Sequence, residues 1–380
     1  MTTTNSTVSS SSQEKPVYDK NVQQFHGGQD WTLMDNFIED FSVTTNFQGT
    51  PKSALEAVTN SFSEVCHYPP INQEPAKSKL ASFLFENEAK ENHSRLILGN
   101  GASEVIDLVI RIASITGKTF KSGPFRAQYK EYERSAINYG FQVVDPCGSQ
   151  KVDLACLVNP CNPTGDYLTV EQQLSWIQDN VSDNGFVLLD ESMQIWHSSN
   201  FHDASLLSKH GVILDLLEKR GISVYIIHSW TKIWSCTGLR LGSVVCPTET
   251  CANRIRKIQI PWSVNILGLR FLEHVVEDSE YLKSTWELTP MYRAQSVQKI
   301  AAAFPDWVCY GESFLSWIWI DTKSISVAET AVSLARTAGV PIRSGGPGYN
   351  LPSFIRIAVR EPSKFDILMN ALSGLSKVAH

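Results

Sequence analysis

The sequence predicts an α/β protein in which a large domain with a mainly parallel central sheet is followed by a smaller α+β domain. Three observations carry that prediction. From about Arg95 to Val245, short apolar runs alternate with amphipathic stretches, as strands do when helices cover both faces of their sheet. After Pro261 the pattern changes to one long helical stretch followed by runs in which apolar and polar residues alternate. Finally, 42% hydrophobic and 10% aromatic residues in a chain of 380 are enough to build sizeable cores in two domains.

The elements follow in chain order. Met1 to Lys20 is rich in Ser and Thr and has no basic segment leading into an apolar run, so it reads as a disordered tail and not as a secretory signal. Thr169–Asp179 is a predicted helix. Phe186-Val-Leu-Leu-Asp190 is a predicted buried strand ending in an acid, and Val224–His228 and Gly242–Cys246 are two more strands. A helical pattern over Val212–Lys219 separates the first two of these strands. Leu267–Ala303 reads as a long helix, and Phe314–Ile320 and Phe354–Val359 as half-buried strands.

Charge and cysteine content narrow the function. With 33 Lys+Arg against 39 Asp+Glu the net charge is −6, and no block of like charge marks a nucleic-acid or membrane-surface binder. No apolar run approaches the roughly 20 residues that span a bilayer. The eight cysteines form no CxxC pair, which argues against a zinc site or a disulfide framework and for free thiols in a reducing, cytoplasmic setting.

Four segments carry chemistry. Gly99-Asn-Gly-Ala-Ser-Glu104 joins an apolar strand to a helix. Small residues there leave backbone N–H groups free for a phosphate, although the same residues also suit an ordinary turn capped by Ser103. Asn159-Pro-Cys-Asn-Pro-Thr-Gly165 is a rigid loop that either simply turns or aims Asn162 into a cleft. Asp190 ends its strand where α/β sheets place ligand-binding groups, or else caps the next element. After the following strand, Ser229, Lys232 and Arg240 bring a hydroxyl, an amine and a guanidinium to one loop. That trio suits a phosphate held by Ser and Arg, beside an amine whose pKa is depressed by desolvation and cationic neighbours.

In this order the segments resemble the class I/II aminotransferases, pyridoxal 5′-phosphate (PLP) enzymes of fold type I. Histidinol-phosphate aminotransferases and threonine-phosphate decarboxylase are the nearest groups. The resemblance implies that Lys232 forms a Schiff base with PLP, that Asp190 pairs with the pyridine nitrogen and that Asn162 donates to the ring oxygen. It places the phosphate on Ser229, Arg240 and the backbone of Ala102 and Ser103, and an aromatic stack on Phe125. Arg356 would clamp a substrate carboxylate. Tyr68 would reach the phosphate of a neighbouring subunit, implying a homodimer with shared sites. The resemblance also divides the chain into an N-terminal arm (21–45), a large domain (46–265) and a small domain (266–380), with His26 and Asn46 of the arm region as specificity candidates.

The implied activity is transformation of an α-amino acid through Schiff base and Cα carbanion chemistry, with transamination as the family-level outcome. One departure opens others. Met193 stands where the family's aminotransferases usually carry a tyrosine that donates to the ring oxygen, and methionine cannot donate. The alternatives are an amino-acid decarboxylase, or a non-transaminating cyclase/lyase that dehydrates and cyclises a hydroxyarginine, as capreomycidine- and enduracididine-type synthases do. Arg126 and Arg343 are candidates for a second anion. Asp30, Glu39 and Asp40 are candidates for a guanidinium.

Overall fold

A computed structural model describes residues 26–377; the predicted tail over 1–20 lies outside them. Seven strands form the large sheet: β1 (Leu96–Asn100), β2 (Thr119–Ser122), β3 (Gln142–Val143), β4 (Val152–Val158), β5 (Val181–Asp190), β6 (Ser223–Ser229) and β7 (Leu241–Val245). Their order is β1-β7-β6-β5-β4-β2-β3. Strands β2 to β6 run parallel, and β7 is antiparallel to both β6 and β1. The apolar runs are buried on both faces because side chains alternate across the sheet. Val187, Leu189, Val224 and Ile226 enter one core, while Leu188, Tyr225 and Ile227 enter the other.

The longer helices of this unit are α1 (Lys52–Asn60), α2 (Ala76–Phe85), α3 (Ala102–Ala113), α4 (Glu131–Asn138), α5 (Val170–Asn180), α6 (His210–Arg220) and α7 (Glu249–Ile258). Thr169 is the N-cap of α5 and not its first residue; with Gln172 it closes a reciprocal capping box. The stretch expected as one helix after Pro261 is two, α8 (Ile266–Val275) and α9 (Ser279–Ala303). The break falls where the Asp278 carboxylate accepts from the Tyr281 N–H and starts a new helix.

The small sheet is antiparallel, with β8 (Val308–Tyr310), β9 (Trp317–Asp321), β10 (Arg343–Ser344) and β11 (Phe354–Ala358) in the order β10-β11-β9-β8. One face packs on α9, α10 (Ile325–Thr337) and α11 (Pro362–Leu372) through Ile318, Ile320, Ile355 and Ile357. The expected domain boundary at 265/266 does not coincide with a change in packing. Leu269, Phe271 and Leu272 of α8 and Tyr281 and Leu282 of α9 belong to the large core, and Ile300 to the small one. The change therefore falls inside α9, because the apolar face of α8 is covered by α1 and α2.

The arm region lies along the small domain. Phe41 is buried in that domain's core and its carbonyl accepts from the Ala358 N–H at 2.9 Å. Arg360 is buried and gathers the arm: its guanidinium donates to the carbonyls of Asp40, Val43 and Thr45 and pairs with Glu39. Among the described residues, no helix is long and apolar enough to cross a membrane.

Candidate active site

The strands of the parallel sheet end at a cleft of about 210 Å³ that is closed on its other side by the arm and the small domain. This is the edge at which open α/β sheets bind ligands. Lys232, Asp190, Asn162, Arg240, Ser229, Ala102, Ser103, His26 and Arg356 all line it, although they come from segments spread over the chain.

The wall beside α3 is backbone brought unusually close. Gly101, at φ +77°, is the N-cap of α3 and has no side-chain cap, so Ser103 is not the capping residue. A Cβ on Gly242 would lie 2.3 Å from the Ala102 nitrogen, and one on Gly101 would lie 2.4 Å from Arg240 Nη2. Only glycine at both positions lets β7 and the Arg240 guanidinium approach the N-terminus of the helix. The result is an anion cradle of helix N–H groups, a guanidinium and the hydroxyls of Ser229 and Thr231, which lie 2.9 Å apart.

Lys232 sits on the single helical turn Trp230–Ile233 after β6 and is half-buried. Desolvation, with the Arg356 and Arg240 guanidiniums, lowers its ammonium to about 8. Asp190, at the end of β5, is buried. Burial raises its pKa, and donors oppose the rise: the Ser192 N–H and the Tyr132 hydroxyl, each at 2.8 Å. The loop carrying Asn162 is braced by Asn159, whose side chain bonds the Leu168 backbone both ways. Asn162 Oδ1 accepts from Arg356 Nη1, which leaves the amide N–H₂ as its donating end. Arg356 also donates to the Ser42 carbonyl at 2.6 Å, while its Nε is buried with no partner among the described residues.

Two sequence expectations need correction. Phe125 is buried in the large-domain core and does not line the cleft; Tyr129, four residues on, presents the aromatic ring. The chain holds that ring in place by bridging Gln128 to Pro163, beside Asn162. Asn46 is buried away from the cleft, with its amide donating to Thr285 Oγ1 at 2.7 Å; its backbone N–H bonds the Lys232 carbonyl. It anchors the lysine turn and does not face a substrate. Tyr68, expected to serve a neighbouring subunit, lies outside the cleft of its own chain: it is exposed and stacks on Trp262, with ring centroids 4.4 Å apart. His26 does line the cleft, bonded to Glu131 at 2.8 Å. Thr231, Ser192 and Tyr129 also line it and are not singled out by the motifs; Arg343, a candidate for a second anion, lines it as well.

The family model for class I and II aminotransferases matches residues 38–372. The chain belongs to that family. Its curated relatives include a histidinol-phosphate aminotransferase of Hydrogenovibrio crunogenus, 24% identical over 358 residues, covering 89% of this chain and 88% of the relative. Another, from Staphylococcus carnosus, is 25% identical and covers 90% and 92%. Among solved structures, the PLP complex of histidinol-phosphate aminotransferase from Sinorhizobium meliloti superposes with a TM-score of 0.74 at 19% identity, covering 90% of this chain and 92% of that one. The L-threonine-O-3-phosphate decarboxylase of Porphyromonas gingivalis gives 0.72 at 18% identity, covering 90% and 100%.

Pyridoxal 5′-phosphate is the cofactor that membership of this family implies, and the cleft of this aminotransferase-family chain fits it. The glycine-lined backbone leaves room for a phosphate, and a buried carboxylate and an amine of lowered pKa line the same cleft.

Proposed function

We propose that this cleft is the active site of a PLP-dependent enzyme acting on an amino-acid substrate that carries a second anionic group. The observation that carries the reading is the convergence on one cleft of Lys232, Asp190, Arg240 and Arg356 from four distant segments. Lys232 would carry the cofactor. The backbone at Ala102 and Ser103, with Ser229, Thr231 and Arg240, would hold its phosphate, Asp190 its ring nitrogen and Asn162 its ring oxygen. When bound, PLP supplies an electron sink for the pair released at the substrate's Cα. Lys232, with its pKa near 8, is then placed to accept or return a proton at that carbon. Arg356 lines the cleft and offers the fork of its guanidinium to a carboxylate.

Arg343 lines the same cleft and so supports an anionic substrate side chain. The three acids considered for a guanidinium are engaged elsewhere: Asp30 with Arg336, Glu39 with Arg360, and Asp40 with Ser42. The decisive test is borohydride reduction of the PLP-loaded protein followed by peptide mapping. Label on Lys232 is expected, and its absence would sink the proposal.

Met193 favours a second outcome at the same site. It lines the cleft and cannot donate, so Asn162 remains as the ring oxygen's side-chain donor. This supports decarboxylation, or the elimination and cyclisation of a hydroxyarginine, as an alternative to amino transfer. Mass spectrometry of products from phosphorylated amino alcohols, phosphoamino acids and hydroxyarginines separates the readings: amino transfer to 2-oxoglutarate with keto product supports transamination, and CO₂ or a cyclised product supports the alternatives.

A homodimer belongs to the same proposal. Phe62, Val65, Tyr68, Ile71, Ile260 and Trp262 are large apolar side chains left exposed by the single chain. Surface of this kind is what a second copy covers.

A further inference from the structure

Asp190 has a partner that none of the motifs announces. Tyr132 on α4 is fully buried in the second core of the large domain, and its hydroxyl donates to Asp190 Oδ2 at 2.8 Å. The other carboxylate oxygen takes the Ser192 N–H at 2.8 Å. Ser192 is itself held, because its hydroxyl accepts the Ser229 N–H at 2.7 Å. One oxygen therefore rests on the loop that follows its own strand, and the other on a helix from a different part of the chain.

Burial alone works against the ionised form of this carboxyl. Tyr132 answers with a donor that cannot give its proton away, since burial and the Asp190 charge push the phenol well above its ordinary value. The other titratable groups that feel the Asp190 charge are Tyr129, Cys156, Cys161 and Glu191. Burial raises all four; Glu191 alone, at about 7, approaches titration near neutrality, and its carboxylate is bonded to Ser205 and the Leu206 N–H. Among the described residues, no cation acts on Asp190. Its anionic form therefore depends on neutral donors.

We propose that Tyr132 is a positioning residue that keeps Asp190 anionic and aimed into the cleft, and thereby governs how strongly the cofactor's ring nitrogen holds its proton. This rests on the reading of Asp190 given under Proposed function. A hydrogen bond to the charged form favours that form, so without the phenol the proton moves toward the carboxyl and away from the ring. The ring then withdraws electrons less well, which slows chemistry at Cα while leaving substrate contacts intact.

The test uses the full chain with and without PLP. In the cofactor-free protein, infrared spectroscopy follows the protonated carboxyl band that Asp190→Asn removes. Tyr132→Phe is expected to raise its titration midpoint by about one pH unit, a tenfold change in proton affinity. In the loaded enzyme the same variant is expected to lower kcat about tenfold with KM within about twofold, as loss of an interaction made chiefly in the transition state does. The visible absorbance of the bound cofactor should change its pH dependence in parallel. Replacement of Tyr132 by 3-fluorotyrosine, a stronger donor of nearly the same shape, is expected to move the midpoint down. An unchanged midpoint in Tyr132→Phe, or a fall in melting temperature without a midpoint shift, overturns the proposal. If Lys232 escapes borohydride labelling, the cofactor reading fails, and the cofactor-free titration still decides the Tyr132 contact.

Discussion

Lys232 is held half-buried near two guanidinium groups, a placement that disfavours its charged form. The sign of the consequence follows from linkage. In the unfolded chain the amine titrates near its ordinary 10.5 and in the fold near 8, so folding opposes protonation. The penalty is fully present below pH 8, shrinks as pH rises and is gone above 10.5. Lys232→Met should therefore raise the melting temperature of the cofactor-free protein below pH 8, by roughly 2–4 °C; scanning calorimetry at pH 7 and pH 10.5 should show the gain at the first and not at the second. Arg356 carries a cost of its own, a buried Nε donor with no partner among the described residues. Arg356→Lys keeps the charge and loses the fork, and kcat/KM should fall about 30- to 150-fold, mostly through KM, as loss of roughly 2–3 kcal/mol of charge-assisted bonding implies. At this scale the sequence was informative where a residue type is demanded by chemistry. Lysine, aspartate, serine and arginine at the ends of strands were legible, because few structural roles need that set. Phe125 and Asn46 were misplaced because motif position does not say which way a side chain points. Tyr132 was invisible: its partner lies 58 positions away and its surroundings are an ordinary core.

Between elements, the site depends on how closely β7 approaches the start of α3. The alternation of apolar runs and amphipathic helices was enough to order the elements around this junction, since period and burial leave little choice for a covered parallel sheet. The junction itself was not legible, because the closeness of two backbones is a tertiary fact that a lone Gly242 in a strand pattern only hints at. Its importance is measurable. A Cβ at Gly242 would overlap the Ala102 nitrogen, so Gly242→Ala must displace either β7 or the helix N-terminus. We expect the variant to lose about 2–4 kcal/mol of stability, the range for strain in a closely packed interior. Its affinity for PLP should fall disproportionately compared with an alanine placed at Gly211, where added volume meets nothing within 4 Å. Urea melts and fluorescence titration of the cofactor measure the two effects separately. Equal PLP affinity in both variants would show that the cradle does not hold the phosphate. The split of the long C-terminal helical pattern follows the same logic: apolar periodicity continues across Glu277 and Asp278, but a capping carboxylate decides where a new helix begins.

For the molecule as a whole, two cores meet at one cleft, with the arm region strapped across by Arg360 and Phe41. A second copy bears on this arrangement through Tyr68. Tyr68 is 78% exposed and its ring lies on Trp262, within a set of large apolar side chains that a monomer would leave in water. Burying such a set between copies is favourable in proportion to the apolar area covered, and a two-fold axis makes each copy supply the same patch. If Tyr68 reaches the phosphate of the neighbouring site, each active site is built from Lys232 of one chain and Tyr68 of the other. That arrangement predicts complementation in trans. Tyr68→Phe and Lys232→Ala homodimers should each be impaired, the second completely. After dissociation and equal mixing, half of the dimers are mixed, and each of those holds one intact site and one site lacking both groups. Activity should recover to roughly a quarter of the wild-type value, as the statistics of a two-fold dimer require. Ile260→Glu, which places a charge in the patch, should give a monomer by sedimentation and abolish the recovery. Mixing that restores no activity beyond the mean of the two parents would place Tyr68 outside the partner's site, and a monomeric wild-type chain would remove the shared site altogether.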